Sequence, residues 1–187
     1  SLTLEFFYQK TRYTYNLDLL TASTTLNKKI TWVYLLDDVH NSSFIRGGEL
    51  IITTGLITKS SQKLDHLINE AYIKGACGAI INTGMYIKNV PSRIIEFGEE
   101  NNFPIFSMPW ETHIADIMQE YCNEIISEQK IASLKNNVFL RSILHSSSSE
   151  DKQILSQFIG FRIAESKMPK NILYFAKVEL DNIYYYI

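Results

Sequence analysis

The segment Glu49-Leu-Ile-Ile-Thr-Thr-Gly55 returns, slightly altered, as Gly78-Ala-Ile-Ile-Asn-Thr-Gly84. In both, a short apolar run suited to a buried strand ends in a Thr-Gly turn. Each repeat is followed by a helical pattern. After the first, Leu64, Leu67, Ile68, Ala71 and Tyr72 share one face of a helix predicted over Ser60 to Lys74, with Gly75 at the position of a C-terminal cap. After the second, Pro91 suits a first helical turn, Ile94, Ile95 and Phe97 supply an apolar side, and Asn101-Asn102 end it. Phe103 to Met108 then reads as a third strand and Ile30 to Leu36 as one more at the front. Strands and helices alternating at this spacing predict an α/β fold, a small mostly parallel sheet with right-handed crossover helices.

The glycines of FIRGGELIITTG, Phe44 to Gly55, invite a phosphate-loop reading that their order refuses. A phosphate-binding loop needs its glycines after a strand and opening into a helix. Gly47 and Gly48 come before the strand, and Lys59-Ser60 lacks the spacing from a preceding glycine that cradles phosphate. The pair predicts a tight turn instead.

In parallel α/β sheets ligands gather beyond the carboxyl ends of the strands. Those ends carry Thr53, Thr54, Gly55, Thr83, Gly84, Trp110 and Glu111, an assortment of hydroxyls, amides beside glycine, an indole and a carboxylate that suits orientation of a small polar metabolite. Hydroxyls and glycines are also ordinary turn-formers. Arg46 joins the candidates because a guanidinium beside Gly47-Gly48 can grip a carboxylate or an imide-like ligand, or pair with Glu49 or Asp38 to hold the turn.

No catalytic group, metal site or cofactor site emerges. Asp37 and Asp38 are adjacent, so on an extended segment they point opposite ways, and with His40 they read as a polar loop. His66 and His113 stand alone, with no second ligand at metal spacing, and Ser42 and Ser43 lack a nucleophile elbow. The 187 residues are 45% hydrophobic with a formal charge of −2, which gives no electrostatic reason for direct contact with nucleic acid or an anionic membrane. No apolar run reaches membrane-spanning length. Cys77 and Cys122 lie in apolar patterns and predict buried reduced thiols, hence a cytoplasmic setting.

From Glu111 to Ile159 neither Gly nor Pro occurs, and Ile114, Ile117, Met118, Tyr121, Cys122 and Ile125 recur at helical spacing. A long helix is expected, extending toward His145, either docked on its own domain or free to self-associate and relay a signal. Glu128 and Lys135 break a strict heptad, so pairing over part of the length, in a homodimer, fits better than a continuous coiled coil. Ser146 to Ser149 reads as a hinge, followed by a helix through Leu155, Phe158 and Ile159 and a strand over Ile172 to Leu180. Three regions are expected: 1–111, a sensor domain; 112–146, a connecting helix; and 147–187, the start of an incomplete α+β unit. Ser1 in place of Met suggests processing, and the tyrosine-rich end suggests the front portion of a longer protein.

Trp32-Val33, Arg46-Gly-Gly-Glu-Leu-Ile-Ile-Thr-Thr-Gly55, Gly75-Ala-x-Gly-Ala-Ile80, Phe103-Pro-Ile-Phe106 and Pro109-Trp-Glu111, in that order, resemble the N-terminal domain of PucR-type bacterial transcriptional regulators. The resemblance covers about residues 1 to 127, with a weaker one from Leu155 to Leu180 to the start of the central domain of such regulators. It implies a cytoplasmic sensor of a small-molecule effector whose DNA-binding helix-turn-helix lies at the far C-terminus, outside this chain. A looser similarity links the front half to the N-terminal domains of MurE and MurF ligases and of HPr kinase. The reading is an effector-sensing, oligomerising regulatory module. A pure interaction module is the alternative, and an enzyme on a nitrogen-rich metabolite is a third.

Overall fold

The computed structural model of the chain describes residues 2–56 and 61–136. Two compact units divide it, Ser1–Ile125 and Ile126–Ile187. The elements in order are α1 (Leu4–Thr11), β1 (Asp18–Leu19), β2 (Trp32–Leu35), β3 (Glu49–Thr53), α2 (Ser61–Ile73), β4 (Gly78–Thr83), α3 (Ser92–Glu100), β5 (Ile105–Pro109) and α4 (Ile114–Asn136), with 3-10 turns at Ser23–Leu26 and Val39–Phe44.

The five strands form one sheet in the order β1-β5-β4-β3-β2. Strands β2 to β5 are parallel, with Trp32 opposite Glu49, Leu50 opposite Gly78 and Ala79 opposite Ile105, while β1 runs antiparallel to β5. The α/β architecture read from the repeat is therefore the one observed. Because every crossover steps one strand in the same direction, a constant crossover hand sends α2 and α3 to the same face. Burial agrees: Leu64, Leu67, Ile68, Ala71 and Ile94 pack with Ile51, Ala79, Ile81 and Ile105.

The opposite face, carrying Leu50, Ile52, Ile80, Phe106 and Met108, is covered by α1 and α4 through Leu4, Phe7, Ile117, Tyr121 and Ile125. Alternation along each strand sends neighbouring residues to opposite layers, so both faces of the central strands are dry and every residue of β3 is buried. Burying one aliphatic side chain of this kind contributes about 1.5–3 kcal/mol.

Local chemistry accounts for the helix ends. The hydroxyl of Thr3 accepts the amide of Phe6 at 3.3 Å to cap α1. Beyond α2, Gly75 and Ala76 donate to the carbonyls of Tyr72 and Ala71, both at 3.0 Å, a paired C-terminal cap. Pro91 sits at the N-cap of α3 rather than in its first turn.

Elements at the front of the chain were not anticipated. Helix α1 is only eight residues long and β1 only two, and both depend on distant partners: Asp18 pairs with Ser107, and Thr3 bridges to Lys29. Helix α4 opens at Ile114, because Pro109 accepts the amide of Thr112 and turns the chain first. Its first half is docked on the sheet, as one of the two expected readings held. The hinge at Ser146 to Ser149, the helix and strand expected after it, and the continuation toward His145 lie outside the described residues.

Candidate functional site

The end of β3 is organised by one carboxylate. Asp37 follows β2 and accepts the Thr53 hydroxyl at 2.9 Å, the Thr54 amide at 2.7 Å and the Thr54 hydroxyl at 2.7 Å. A carboxylate suits this place because two hydroxyls and an amide converge where parallel pairing of β2 and β3 ends. The Thr54 hydroxyl also accepts the Leu56 amide at 3.2 Å. The threonines, expected to orient a ligand, thus donate their hydroxyl protons inward to Asp37, and Thr53 is completely buried.

At the ends of β4 and β5, the Asn82 side-chain amide donates to the carbonyls of Met108 and Pro109 at 3.2 and 3.1 Å, tying the two strand ends together. Gly84 donates to Ile87 at 2.8 Å, closing a tight turn that carries Met85 and Tyr86. Tyr86 meets Trp110 edge to face, with centroids 5.6 Å apart at 88°. Gly55 has a φ of +79°, and a Cβ there would lie 2.4 Å from Ile87, so only glycine lets the β3 turn sit against the β4 turn. A Cβ on Gly84 would approach that of Trp110 to 3.2 Å.

Seven of the candidate residues therefore meet at one end of the sheet: Thr53, Thr54, Gly55, Thr83, Gly84, Trp110 and Glu111. The exposed side chains around them are mainly apolar. Leu56, Met85, Tyr86 and Trp110 are 46%, 54%, 39% and 37% exposed, and Glu111 is an exposed carboxylate beside them. Arg46 lies elsewhere. It precedes β3, whose length puts about 13 Å between Glu49 and Thr53 at 3.3 Å per residue. Nor does its guanidinium pair with Glu49 or Asp38. The buried Glu49 carboxylate instead accepts the backbone amides of Arg46 and Gly47, at 2.7 and 2.8 Å, so it holds the turn through the main chain.

The turn from β5 into α4 is pinned twice. Thr112 donates its hydroxyl to the Tyr15 carbonyl at 2.9 Å, and Tyr15 in turn donates to Glu120. At the next residue of α4, the hydroxyls of Tyr121 and Thr11 meet at 2.5 Å, the Thr11 hydroxyl lies 2.6 Å from the Phe7 carbonyl, and the Phe7 and Tyr121 rings lie 4.3 Å apart. Lys10 pairs with Glu124 at the rim. Burial raises both phenols above their ordinary range, with the Glu120 carboxylate adding to the effect at Tyr15.

The remaining titratable candidates are structural. His40 is 88% exposed and bonds Asp38 at 2.8 Å, and the His40 amide, then its ring, lowers the Asp38 carboxyl below its usual value. A pair this wet is a capped turn, since water screens what one group could do to the other. Cys77 is buried and Cys122 half-buried; both are free thiols, and burial pushes Cys77 up to about 12. Among the described residues no three His, Cys, Asp or Glu side chains group as metal ligands, and no helix is long and apolar enough to cross a membrane. Asp37 and Asn82 were missed from sequence because their partners come from other strands; only a polar residue next to a strand end hinted at either.

Comparison with known proteins adds the family. A curated protein, the purine catabolism regulatory protein of Bacillus subtilis (strain 168), is 26% identical over 112 residues, which cover 59% of this chain and 21% of that protein. The chain thus spans about a fifth of the length of that relative. No solved structure matches significantly. The profile of the purine catabolism regulatory protein-like family matches residues 9–125, which run from α1 to the last residue of the first compact unit. On that match the chain belongs to the purine catabolism regulatory protein-like (PucR) family.

Proposed function

We propose that this chain is the effector-sensing and oligomerising N-terminal portion of a bacterial transcription regulator, cytoplasmic and non-enzymatic, serving purine or other nitrogen catabolism. DNA contact belongs to a helix-turn-helix outside it. The family supports the regulatory role, and the related Bacillus subtilis protein is named for purine catabolism. One observation carries the sensing mechanism: the turn at Trp110 packs on Gly84 and Tyr86 and, within a few residues, becomes the first turn of α4. A ligand seated on the strand ends, against Trp110, Glu111 and Thr83, shifts α4 only if it binds one arrangement of turn and helix more tightly than another. The chain is proposed to act as a homodimer through α4.

A thermal-shift screen against purine catabolites, ureides, amino acids and nucleotides tests the reading. A ligand at a hundred times its dissociation constant adds ~2.7 kcal/mol of stability. The expected result is a rise in midpoint that Trp110→Ala abolishes. A rise untouched by Trp110→Ala and Glu111→Gln moves the site away from the strand ends.

The exposed cluster of Leu56, Met85, Tyr86 and Trp110 favours a second reading, a protein-interaction module without a small-molecule site. Sedimentation of Tyr86→Ser separates the two: lost self-association with no ligand response supports the module.

A further inference from the structure

The elbow before β3 forms one wall of a cavity at the opposite end of the sheet from Trp110. Its polar groups bond inward. Gly48 donates to the Gly75 carbonyl at 2.7 Å, Thr31 donates its amide to Gly48 at 2.8 Å and its hydroxyl to Gly47 at 2.9 Å, and Glu49 holds the amides of Arg46 and Gly47. The Arg46 guanidinium is the exception: among the described residues it has neither a hydrogen-bond nor an ion-pair partner, and the residue is exposed.

The rest of the cavity is aromatic. Trp32 and Tyr34 lie two residues apart on β2 and so face the same side of the sheet, and Phe44 stands at the end of the neighbouring 3-10 turn. Trp32 is 40% and Phe44 68% exposed, large apolar surfaces left in water beside a lone cation. These three rings, Arg46 and the elbow line an open cleft of about 380 Å³, within the range of small-molecule sites, which pair apolar walls with a few placed polar groups. The backbone of the elbow is braced by the hydrogen bonds of Gly48 to Gly75 and of Thr31 to Gly48.

We propose that this cavity binds a small planar aromatic carboxylate, with Arg46 taking the carboxylate as a two-pronged donor and Trp32 and Phe44 flanking the ring. Charge decides the class. Glu49 lies buried with an amide on each oxygen, so its charge is answered within the turn, whereas the guanidinium is the group whose charge no neighbour answers. A planar carboxylate offers Arg46 two parallel acceptors and the rings a face to stack on. The site does not depend on the strand-end reading, since Arg46 and Trp110 sit at opposite ends of the strands.

Titration calorimetry of the whole 187-residue chain with benzoate, and with benzamide as its neutral isostere, tests the assignment. Benzoate is expected to bind at least about tenfold more tightly than benzamide. Arg46→Gln should reduce benzoate to the level of benzamide, Phe44→Ala should weaken both, and Trp110→Ala should leave both unchanged. Among the described residues Arg46 is exposed and has no side-chain partner, so Arg46→Gln is expected to fold, which its circular dichroism verifies. Equal binding of the two probes, benzoate affinity unmoved by Arg46→Gln, or no heat from benzoate up to about 10 mM overturns the proposal. Loss of self-association in Phe44→Ser, with no benzoate binding by the parent chain, overturns it too, since the cavity would then be covered by a second copy.

Discussion

Replacing Asp37 by Ala isolates what holds the strand ends together. The carboxylate accepts three hydrogen bonds, from the Thr53 hydroxyl and from the Thr54 amide and hydroxyl. Thr53 is fully buried and Thr54 9% exposed, so water reaches neither donor easily once the acceptor is gone. Each buried donor left unsatisfied costs about 1–3 kcal/mol. The Thr53 hydroxyl can rotate toward another acceptor, while the Thr54 amide is fixed, so a total near 3 kcal/mol is expected rather than the sum of three full penalties. Asp37→Asn retains an oxygen for Thr53 and for the Thr54 amide, and its own amide can donate to the Thr54 hydroxyl, so its loss should be about 1 kcal/mol. Equilibrium urea unfolding followed by far-ultraviolet circular dichroism measures both, and an unchanged slope verifies that only stability moved. Asp37→Ala within about 0.5 kcal/mol of the parent chain, inside the range of ordinary surface substitutions, would refute the role given to this carboxylate.

Three further predictions follow from other parts of the fold. Gly55→Ala combines a left-handed φ with a Cβ 2.4 Å from Ile87 and should lower stability by more than about 1 kcal/mol in the same urea assay. Tyr15 and Tyr121 have folded-state pKa values raised above the ordinary phenol value near 10. Their contribution is complete below that pH and lost as pH rises beyond it, so alkaline unfolding should be shallower in Tyr121→Phe, read by tyrosinate absorbance and circular dichroism. Cys77, buried and pushed up to about 12, should resist iodoacetamide at pH 8 far longer than half-buried Cys122, as mass spectrometry of timed samples will report.

The central strands and α2 and α3 were legible because their signals are local. A buried run of three aliphatic residues, a Thr-Gly turn and a 3.6-residue period are all written within one element, and the order β2 to β5 follows from the chain itself. What failed to show was set by distance. The two residues of β1 carry no strand pattern of their own and exist through Ser107 and Phe106. Asp37 looks like any loop carboxylate until β2 and β3 lie parallel and bring Thr53 and Thr54 to it. Arg46 is only seven positions from Thr53, which made it a neighbour on paper; an intervening strand makes it the far end of the sheet. The strand-end residues meet at one end of the sheet, yet the surface there is less polar than their types suggest, because the Thr53 and Thr54 hydroxyls turn toward the half-buried Asp37 carboxylate while Tyr86 and Trp110 stay exposed.

The two helical layers differ in when they can form. Strands β2 to β5 and the helices α2 and α3 pair almost wholly with their sequence neighbours, the kind of topology that closes short loops and folds quickly. The other layer joins the two ends of the unit: Thr11 meets Tyr121 and Lys10 meets Glu124, each more than a hundred residues away. During synthesis the face carrying Leu50, Ile52, Ile80 and Phe106 therefore has only the front of the chain, Leu4 and Phe7 of α1 among it, to cover it until Ile117, Tyr121 and Ile125 are made. The final helix completes this layer last, so a chain halted before Ile117 would leave part of one apolar sheet face open to chaperones and to its own neighbours.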